Sequence, residues 1–206
     1  MITLIQSPFL EHKLTILRNK KTPNILFRQT MNEISYLIAS EVLKFLPYKS
    51  IVVQTPIKKT LGKKLKQQVI LVPILRAGLG LLEGFIKFLP DADKGHIGLY
   101  RDENTYKPVE YLFKLPRSKN KKIIVLDPML ATGNSSIAAI NLVKSKGIKV
   151  KDIYLVSLLA APEGIKNIQK SQKGLHLFTC KIDSKLNNKK FIVPGLGDAG
   201  DRYMGT

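Results

Sequence analysis

The sequence predicts an α/β fold in which helices flank a mostly parallel, twisted sheet. Three observations support this fold class. Short apolar runs with strand-like composition recur along the chain, helical patterns lie between several of them, and 206 residues with 44% hydrophobic residues can fill one sizeable core. The predicted strands are residues 51–57, 69–75, 96–101, 123–126 and 153–159. Strands that alternate with helices typically form a parallel sheet with helices on its faces.

The first clear helix is predicted at residues 29–46. Its apolar residues recur at steps of three and four, as they do along one face of an α-helix. They are Met31, Ile34, Ile38, Val42 and Phe45. Pro47 cannot continue a helix, so the helix is expected to end before it. This face is predicted to pack against the core, although the pattern leaves open a role in a subunit interface.

The whole chain, residues 1–206, is predicted to form one domain. No repeat, low-complexity stretch or linker rich in Pro, Gly and Ser divides the sequence. Residues 100–115 follow a predicted strand and are expected to form a projecting β-hairpin.

The sequence also indicates the cellular compartment in which the protein is expected. No window approaches the roughly 18 uninterrupted apolar residues of a membrane helix, and the first residues lack the basic-then-apolar layout of a secretion signal. We therefore expect a cytoplasmic protein without a membrane segment. The single cysteine, Cys180, cannot form an internal disulfide and has no metal-site spacing, so we interpret it as a packing residue.

The formal net charge of +19 raises the question of nucleic-acid binding. Only six of the 34 basic residues are arginines, and the lysines are scattered in short groups rather than along one stripe. Phosphate-reading sites favour arginine because its guanidinium forms two parallel bonds to an anion. We therefore expect no nucleic-acid partner, whereas small anionic substrates remain compatible with this charge.

The first candidate site follows the predicted strand at 123–126. Asp127 and Pro128 come directly after that strand, and the stretch ATGNSS at 131–136 precedes a helical pattern. Such a strand–loop–helix can direct backbone N–H groups, hydroxyl groups and a helix dipole at a phosphate. Asp127 can accept hydrogen bonds from sugar hydroxyls. The alternative is a plain helix cap made by Asn134 or Ser135.

Two arginines form the second candidate. Arg76 ends the apolar strand at 69–75 and is followed by Gly78 and Gly80, which let the backbone approach a ligand closely. An arginine there can hold diphosphate oxygens through two charge-assisted bonds. The alternative for Arg76 is an ordinary surface position at a helix start. Arg101 follows another predicted strand, and a surface ion pair is the alternative for it.

The third candidate is the ending, residues 191–206. Its glycines expose main-chain donors and acceptors, which can read the edge of a flat heterocycle. A frayed tail is the alternative, although the apolar beginning of this segment and its aspartates Asp198 and Asp201 are equally typical of a docked loop.

Together the three segments resemble the uracil phosphoribosyltransferase family, whose members carry a PILRAGLG segment, DPMLATG and a PGLGDAGDR-like ending. The resemblance extends over nearly the whole chain and implies the type I phosphoribosyltransferase fold. Asp127 is followed by Pro128, where the generic phosphoribosyltransferase pattern has paired acidic residues, and this resembles the uracil branch. Asn134 takes the place where the family usually has glycine. Because Asn tolerates left-handed backbone angles, the loop is expected to keep its shape.

The resemblance implies a role for each segment. Arg76, Arg101, Asp127 and Asp198 are the implied catalytic residues, and residues 100–115 resemble a flexible hairpin that shields the reaction. The implied contacts to 5-phosphoribosyl 1-diphosphate are Arg76, Arg101, Asp127, Pro128, Met129, Leu130, Ala131, Thr132, Gly133, Asn134, Ser135 and Asp198. The implied contacts to uracil, within the loop at 191–206, are Ile192, Gly197, Asp198 and Ala199.

The implied reaction is displacement of diphosphate from C1 of the ribose by N1 of uracil, which gives uridine monophosphate in pyrimidine salvage. Mg²⁺ is the implied cofactor, bound mainly through substrate oxygens and water, so no protein metal site is expected. The implied partners are the two substrates, GTP as an activator, and further copies of the chain in a homodimer or larger homo-oligomer. Two alternatives on the same fold stay open: an RNA-binding regulatory relative and a catalytically weakened one.

Overall fold

The computed structural model describes residues 1–102 and 108–206, and of Arg101 only the backbone. The helices are α1 (Pro8–Arg18), α2 (Asn24–Leu43), α3 (Leu79–Phe88), α4 (Asn134–Ser145), α5 (Pro162–Ser171) and α6 (Ala199–Met204). The strands are β1 (Ile2–Leu4), β2 (Tyr48–Gln54), β3 (Lys59–Leu65), β4 (Val69–Leu75), β5 (Asp93–Lys94), β6 (His96–Arg101), β7 (Pro108–Lys114), β8 (Lys122–Leu126), β9 (Met129–Leu130), β10 (Ile153–Ala160), β11 (His176–Ile182), β12 (Lys185–Leu186) and β13 (Ile192–Val193).

The main sheet has the strand order β1–β11–β10–β8–β4–β6–β7. Its neighbouring strands are parallel from β1 to β6, and β7 alone on this path runs antiparallel to its neighbour. The short strands β5 and β9 pair with β4 and β10. The predicted fold class, a mostly parallel sheet flanked by helices, is confirmed.

The central strands are apolar throughout because both faces of the sheet are covered. In β8, Ile124 and Leu126 join the core that contains the buried faces of α1, α2 and α3. The alternate residues Ile123 and Val125 join the second core, with the buried faces of α4 and α5. Successive side chains of a strand point to opposite faces, so a strand between two helical layers reads as a continuous apolar run.

The predicted helix at 29–46 exists, but its bounds differ. α2 begins at Asn24, directly after Pro23, and ends at Leu43. Beyond Leu43 the backbone N–H groups bond to carbonyls three residues back, so the last turn tightens before Pro47. The predicted face is buried as far as Val42, but Phe45 lies outside the helix and is half-exposed.

The strand predicted at 51–57 does not belong to the alternating set. β2 pairs antiparallel with β3 in a separate two-stranded hairpin. We call residues 48–65 the arm. Most of its residues are exposed, and Ile57 at its turn and Leu61 on β3 are 91% and 76% accessible.

The predicted hairpin at 100–115 is found with an earlier start. β6 and β7 pair antiparallel from His96 opposite Lys114 to Arg101 opposite Pro108, and the turn between them lies outside the described residues. β6 also pairs with β4, so the base of this hairpin is part of the main sheet. Among the helices of residues 1–102 and 108–206, none is long and apolar enough to cross a membrane.

Candidate active site

One cleft opens at the carboxyl ends of β4 and β8, the edge at which open α/β sheets bind ligands. Its volume is about 490 Å³. All three predicted segments line it, although they are far apart in sequence. The predicted site residues in its lining are Arg76, Asp127, Met129, Ala131, Thr132, Gly133, Asn134, Ser135, Ile192, Gly197, Asp198 and Ala199.

Two predicted substrate contacts do not line this cleft. Pro128 and Leu130 are buried. Their carbonyls accept backbone hydrogen bonds from β10 and the residue after it: Pro128 O from Leu158 and Leu159, and Leu130 O from Ala161. The structure therefore gives these two residues the task of attaching the loop to the sheet. For Arg101 the backbone ends β6, and its side chain lies outside the described part of the chain.

Asp127 lies where β8 ends and the loop begins. Its backbone N–H donates to Val156 O on the neighbouring strand. Ser136 Oγ donates to Asp127 Oδ2 at 2.6 Å, so the loop is closed by a side-chain bond nine residues apart. Burial raises the pKa of the Asp127 carboxyl, and the hydrogen bond from Ser136 opposes this shift.

The loop turns into α4 at Gly133. This residue has a φ of +83°, a left-handed angle that glycine adopts without steric cost, and it is the N-cap of α4. Asn134 and Ser135 lie inside the helix and its N-cap is a glycine, so the plain-cap interpretation with Asn134 or Ser135 is wrong. Because residues 133–136 line the cleft, the amino end of α4 with its positive dipole lies at the cleft wall.

Asn134 occupies the first position of α4, and its φ is not positive. The expectation that it must tolerate a left-handed angle is therefore wrong, since that angle belongs to Gly133. Its side-chain Oδ1 accepts from Asn167 Nδ2 at 3.3 Å. Asn167 Nδ2 also donates to Thr132 O at 3.0 Å, so α5 supports the loop from outside.

Arg76 extends from the end of β4 into the cleft. Its guanidinium lies 3.1 Å from Asp201 Oδ1, and both side chains are about half-exposed, at 52% and 51%. The peptide between Leu75 and Arg76 is cis. A guanidinium paired with an exposed carboxylate can exchange this weak partner for an anionic ligand.

The ending of the chain is a docked loop, so the frayed-tail interpretation is wrong. Asp198 accepts a bond from Asp201 N at 2.9 Å and caps α6. Arg202 donates to Leu196 O at 2.7 Å and to Asn19 O at 2.8 Å, and its guanidinium carbon lies 4.4 Å from the centre of the Phe27 ring. We call residues 192–199 the base loop.

Several other lining residues are not among the individual residues predicted from the sequence. They are Ile74, Leu75, Ala77, Leu99, Tyr100, Tyr111, Lys190, Phe191, Gly200 and Asp201, whereas Ser136 belongs to the predicted stretch 131–136. The position of Asp201 within the glycine-rich ending was a usable signal. Tyr111 gave none, because it reaches the cleft only through the pairing of β7 with β6.

A parallel sheet of this order, with a phosphate-type loop after one strand and an arginine after its neighbour, is the predicted fold of the type I phosphoribosyltransferases. A solved structure of the AQ2163 protein from Aquifex aeolicus has the same fold, with a TM-score of 0.91, 36% identity and coverage of 98% of this chain and 97% of that one. The sequence model of the family described as uracil phosphoribosyltransferase matches residues 4–206. The chain belongs to the uracil phosphoribosyltransferase family.

Two curated relatives support this assignment. This chain is 46% identical to the uracil phosphoribosyltransferase of Lactococcus lactis subsp. lactis, over 98% of this chain and 97% of that protein. It is 49% identical to the uracil phosphoribosyltransferase of Dictyoglomus turgidum, over the full length of both. The predicted family is confirmed, and with it the prediction of a transferase of pyrimidine salvage.

Proposed function

We propose that the cleft is the site where this chain transfers the 5-phosphoribosyl group of 5-phosphoribosyl 1-diphosphate to N1 of uracil. One observation carries the assignment of roles: a single cleft is lined by the loop at 127–136, by Arg76 and by the base loop. The first two are suited to the two ends of a doubly phosphorylated sugar, and the third to a flat base.

The loop at 127–136 is proposed to bind the 5-phosphate and the ribose. The amino end of α4 and the hydroxyls of Thr132 and Ser135 suit a phosphate, because both supply hydrogen-bond donors. Asp127 is oriented by Ser136, and its carboxylate is suited to accept from ribose hydroxyls. Arg76 is proposed to hold the diphosphate, exchanging Asp201 for the more highly charged group.

These contacts suit a displacement at C1 of the ribose. The bond between C1 and the diphosphate oxygen breaks, the bond from N1 of uracil forms on the opposite face, and the proton of N1 is released. Holding both reactants in line removes much of the entropic barrier, and Arg76 stabilises the charge that grows on the leaving group.

Mg²⁺ is the proposed cofactor. Within residues 1–102 and 108–206 no group of three or more His, Cys, Asp or Glu is arranged to hold a metal ion. The cleft does provide aspartate oxygens at Asp127, Asp198 and Asp201, which are the hard ligands that Mg²⁺ prefers. These residues fit an ion held chiefly by substrate oxygens and water, and the ion would neutralise charge on the diphosphate.

The base loop is proposed to select uracil. Ile192 provides an apolar wall, and Gly197 and Ala199 bring main-chain groups to the cleft. A backbone N–H that faces O4 of uracil would meet the amino group of cytosine instead. Such a mismatch leaves buried donors unpaired and can reject the wrong base by about 10⁴-fold.

A product assay tests the proposed function. The purified chain is mixed with 5-phosphoribosyl 1-diphosphate, Mg²⁺ and one of uracil, cytosine, hypoxanthine or orotate, and both diphosphate and nucleotide are measured. Uridine monophosphate from uracil alone supports the proposal. Binding of uracil without turnover would instead favour a catalytically weakened relative, and turnover of another base would overturn the specificity.

We also propose that the chain forms a homodimer or a larger homo-oligomer, through the arm. A two-stranded hairpin with both faces in water is marginal in stability, and Val52 and Leu61 form an exposed apolar pair on one face of this one. Burial of that pair against a second copy would stabilise the arm. Sedimentation of the chain, compared with a variant that carries Val52→Ser and Leu61→Ser, tests this proposal.

Two further assignments are part of the same proposal. GTP activation rests on the family resemblance alone, and addition of GTP to the product assay tests it through the initial rate. A cytoplasmic location suits the lone buried Cys180, because reducing compartments maintain free thiols. Fractionation of cells that express the chain tests the location.

A further inference from the structure

Two charged side chains at the back of the base loop form an ion pair whose carboxylate is buried and whose guanidinium is 23% exposed. Asp183 follows β11, and its side chain is only 3% exposed. Arg18, the last residue of α1, donates to both carboxylate oxygens of Asp183, at 2.6 and 2.9 Å. We call this pair the clamp. Neither residue is part of the cleft lining.

Both members of the clamp also bind the peptide groups of Gly195. Arg18 donates to Gly195 O at 2.6 Å, and Gly195 N donates to Asp183 Oδ2 at 2.9 Å. Gly195 has a φ of +58°, and an added Cβ would lie 2.1 Å from Ile192 O. The backbone therefore turns sharply at Gly195, and the clamp holds the N–H and the C=O of that turning residue.

Two residues beyond this turn lies Gly197, and Asp198 and Ala199 follow it at the cleft. A buried ion pair generally adds little net stability, because desolvation of both charges offsets their attraction. Its better attested use is to select one conformation among several. α1 lies outside the cleft. Through the clamp, the position of the end of α1 determines the position of the base loop.

We infer that Arg18 and Asp183 are positioning residues for the base site. They fix Gly195 so that the main-chain groups of 197–199 are presented to the base, and they touch neither substrate. The inference rests on the proposed function, in which the base loop reads uracil. The clamp therefore affects the affinity and the selectivity for the base, but not the use of the phosphoribosyl substrate.

The chain offers a matched control. Lys181 on β11 lies 2.9 Å from Glu11 on α1, so this ion pair joins the same strand and the same helix. Both side chains are about 40% exposed, and the bonds of this pair do not reach the base loop. A variant that lacks this pair therefore shows the effect of weakening the contact between α1 and β11 without a change at the base loop.

The experiment compares Asp183→Asn and Arg18→Lys with the control Lys181→Met by steady-state kinetics on the full chain. For Asp183→Asn we expect the KM for uracil to rise about tenfold or more, with the KM for 5-phosphoribosyl 1-diphosphate within about twofold of the original. Discrimination against cytosine should fall. Arg18→Lys keeps the charge but not the guanidinium fork, so its effect should be smaller. Lys181→Met should change neither KM.

Two results would overturn the inference: an unchanged KM for uracil in Asp183→Asn, or an equal rise in both KM values. If Asp183→Asn fails to fold, Arg18→Lys decides by the same criteria. If the original chain makes no uridine monophosphate, the proposed function fails instead. Amide hydrogen exchange at 195–199 then decides the structural part, since faster exchange in Arg18→Lys than in Lys181→Met supports the clamp and equal exchange contradicts it.

Discussion

The two loops that face each other across the cleft are held in opposite ways. The loop at 127–136 is stabilised by bonds between near neighbours, such as Ser136 to Asp127 and Asn134 N to Thr132 Oγ1, and by bonds to β10 and α5, the next strand and helix of the main fold after α4. The base loop is held by the other end of the chain. Gly195 O accepts from Arg18, 177 residues away. Arg202, which donates to Leu196 O of this loop, also donates to Asn19 O, 183 residues away.

The shapes of the two loops therefore depend on different parts of the fold. The loop at 127–136, the proposed phosphate site, keeps its shape as long as its strand–loop–helix unit is packed in the sheet. The base loop, the proposed uracil site, depends on contacts to α1 that form only when both ends of the chain are folded. Changes far from the cleft should therefore affect base binding more than phosphate binding, and four substitutions test this expectation, in order of decreasing effect.

The largest effect is expected for Asp127→Asn. Removal of the carboxylate that is proposed to accept from the ribose should lower kcat/KM about 100-fold or more. Burial raises the pKa of Asp127, so its ionised form costs stability once the pH exceeds that raised value. The amide has no such cost and can still accept from Ser136. The variant should thus be more resistant to urea than the original chain at neutral pH.

The pH dependence provides the check on Asp127→Asn. Below the ordinary aspartate pKa of 3.8 the carboxyl is protonated in both the folded and unfolded chain, so the gain in stability should disappear there. Urea unfolding at several pH values measures it. A variant that is less stable than the original at neutral pH would contradict this account of Asp127.

The next largest effect is expected for Gly195→Ala. The new Cβ would collide with Ile192 O and oppose the left-handed angle, so kcat/KM for uracil should fall about 100-fold. Gly147→Ala is the control, because its φ is +79° and no atom lies within 4 Å of the added Cβ. It should cost about 1 kcal/mol of stability without a kinetic effect. Equal kinetics in the two variants would contradict the role of the base loop.

Arg76→Ala should have a more selective effect. The KM for 5-phosphoribosyl 1-diphosphate should rise about tenfold, because a charge-assisted contact is lost, while the KM for uracil changes little. The exposed pair with Asp201 adds at most about 0.5 kcal/mol to stability, so the Tm should hardly move. Arg28→Ala, on the exposed side of α2, is the control. A rise in the KM for uracil alone would remove Arg76 from the diphosphate site.

The smallest effect is expected for Asn134→Gly. The residue is helical, and its exposed side chain bonds to Asn167 rather than shaping the turn. The glycine keeps the backbone N–H, so the KM for 5-phosphoribosyl 1-diphosphate should stay within about twofold. Initial-rate measurements decide this, and a several-fold fall in KM would show that Asn134 weakens the phosphate site.

Elements governed by local sequence could be predicted. β4 and β6 have their predicted bounds. For β4 the reason is that an apolar run buried between two helical layers leaves a clear pattern. The phosphate-type loop was found for the same reason, since Asp127, Gly133 and the start of α4 are adjacent in sequence.

Elements governed by distant contacts could not. β3 was missed because its lysine-rich sequence carries no apolar period, and it exists through its pairing with β2. Arg18 and Asp183 each look like ordinary charged residues, and only the packing of α1 beside β11 brings them to Gly195. Family resemblance predicted the base loop, whereas the residues that hold this loop in place could be found only from the structure.

The single cysteine gives the molecule a built-in reporter of opening. Cys180 is fully buried within β11, and burial raises the pKa of its thiol, so the reactive thiolate is suppressed in the folded chain. A thiol reagent can reach it only when the core between the sheet and helices α1 to α3 opens, because Cys180 belongs to that core. The rate of labelling would thus measure how often this core opens, with no probe added to the protein.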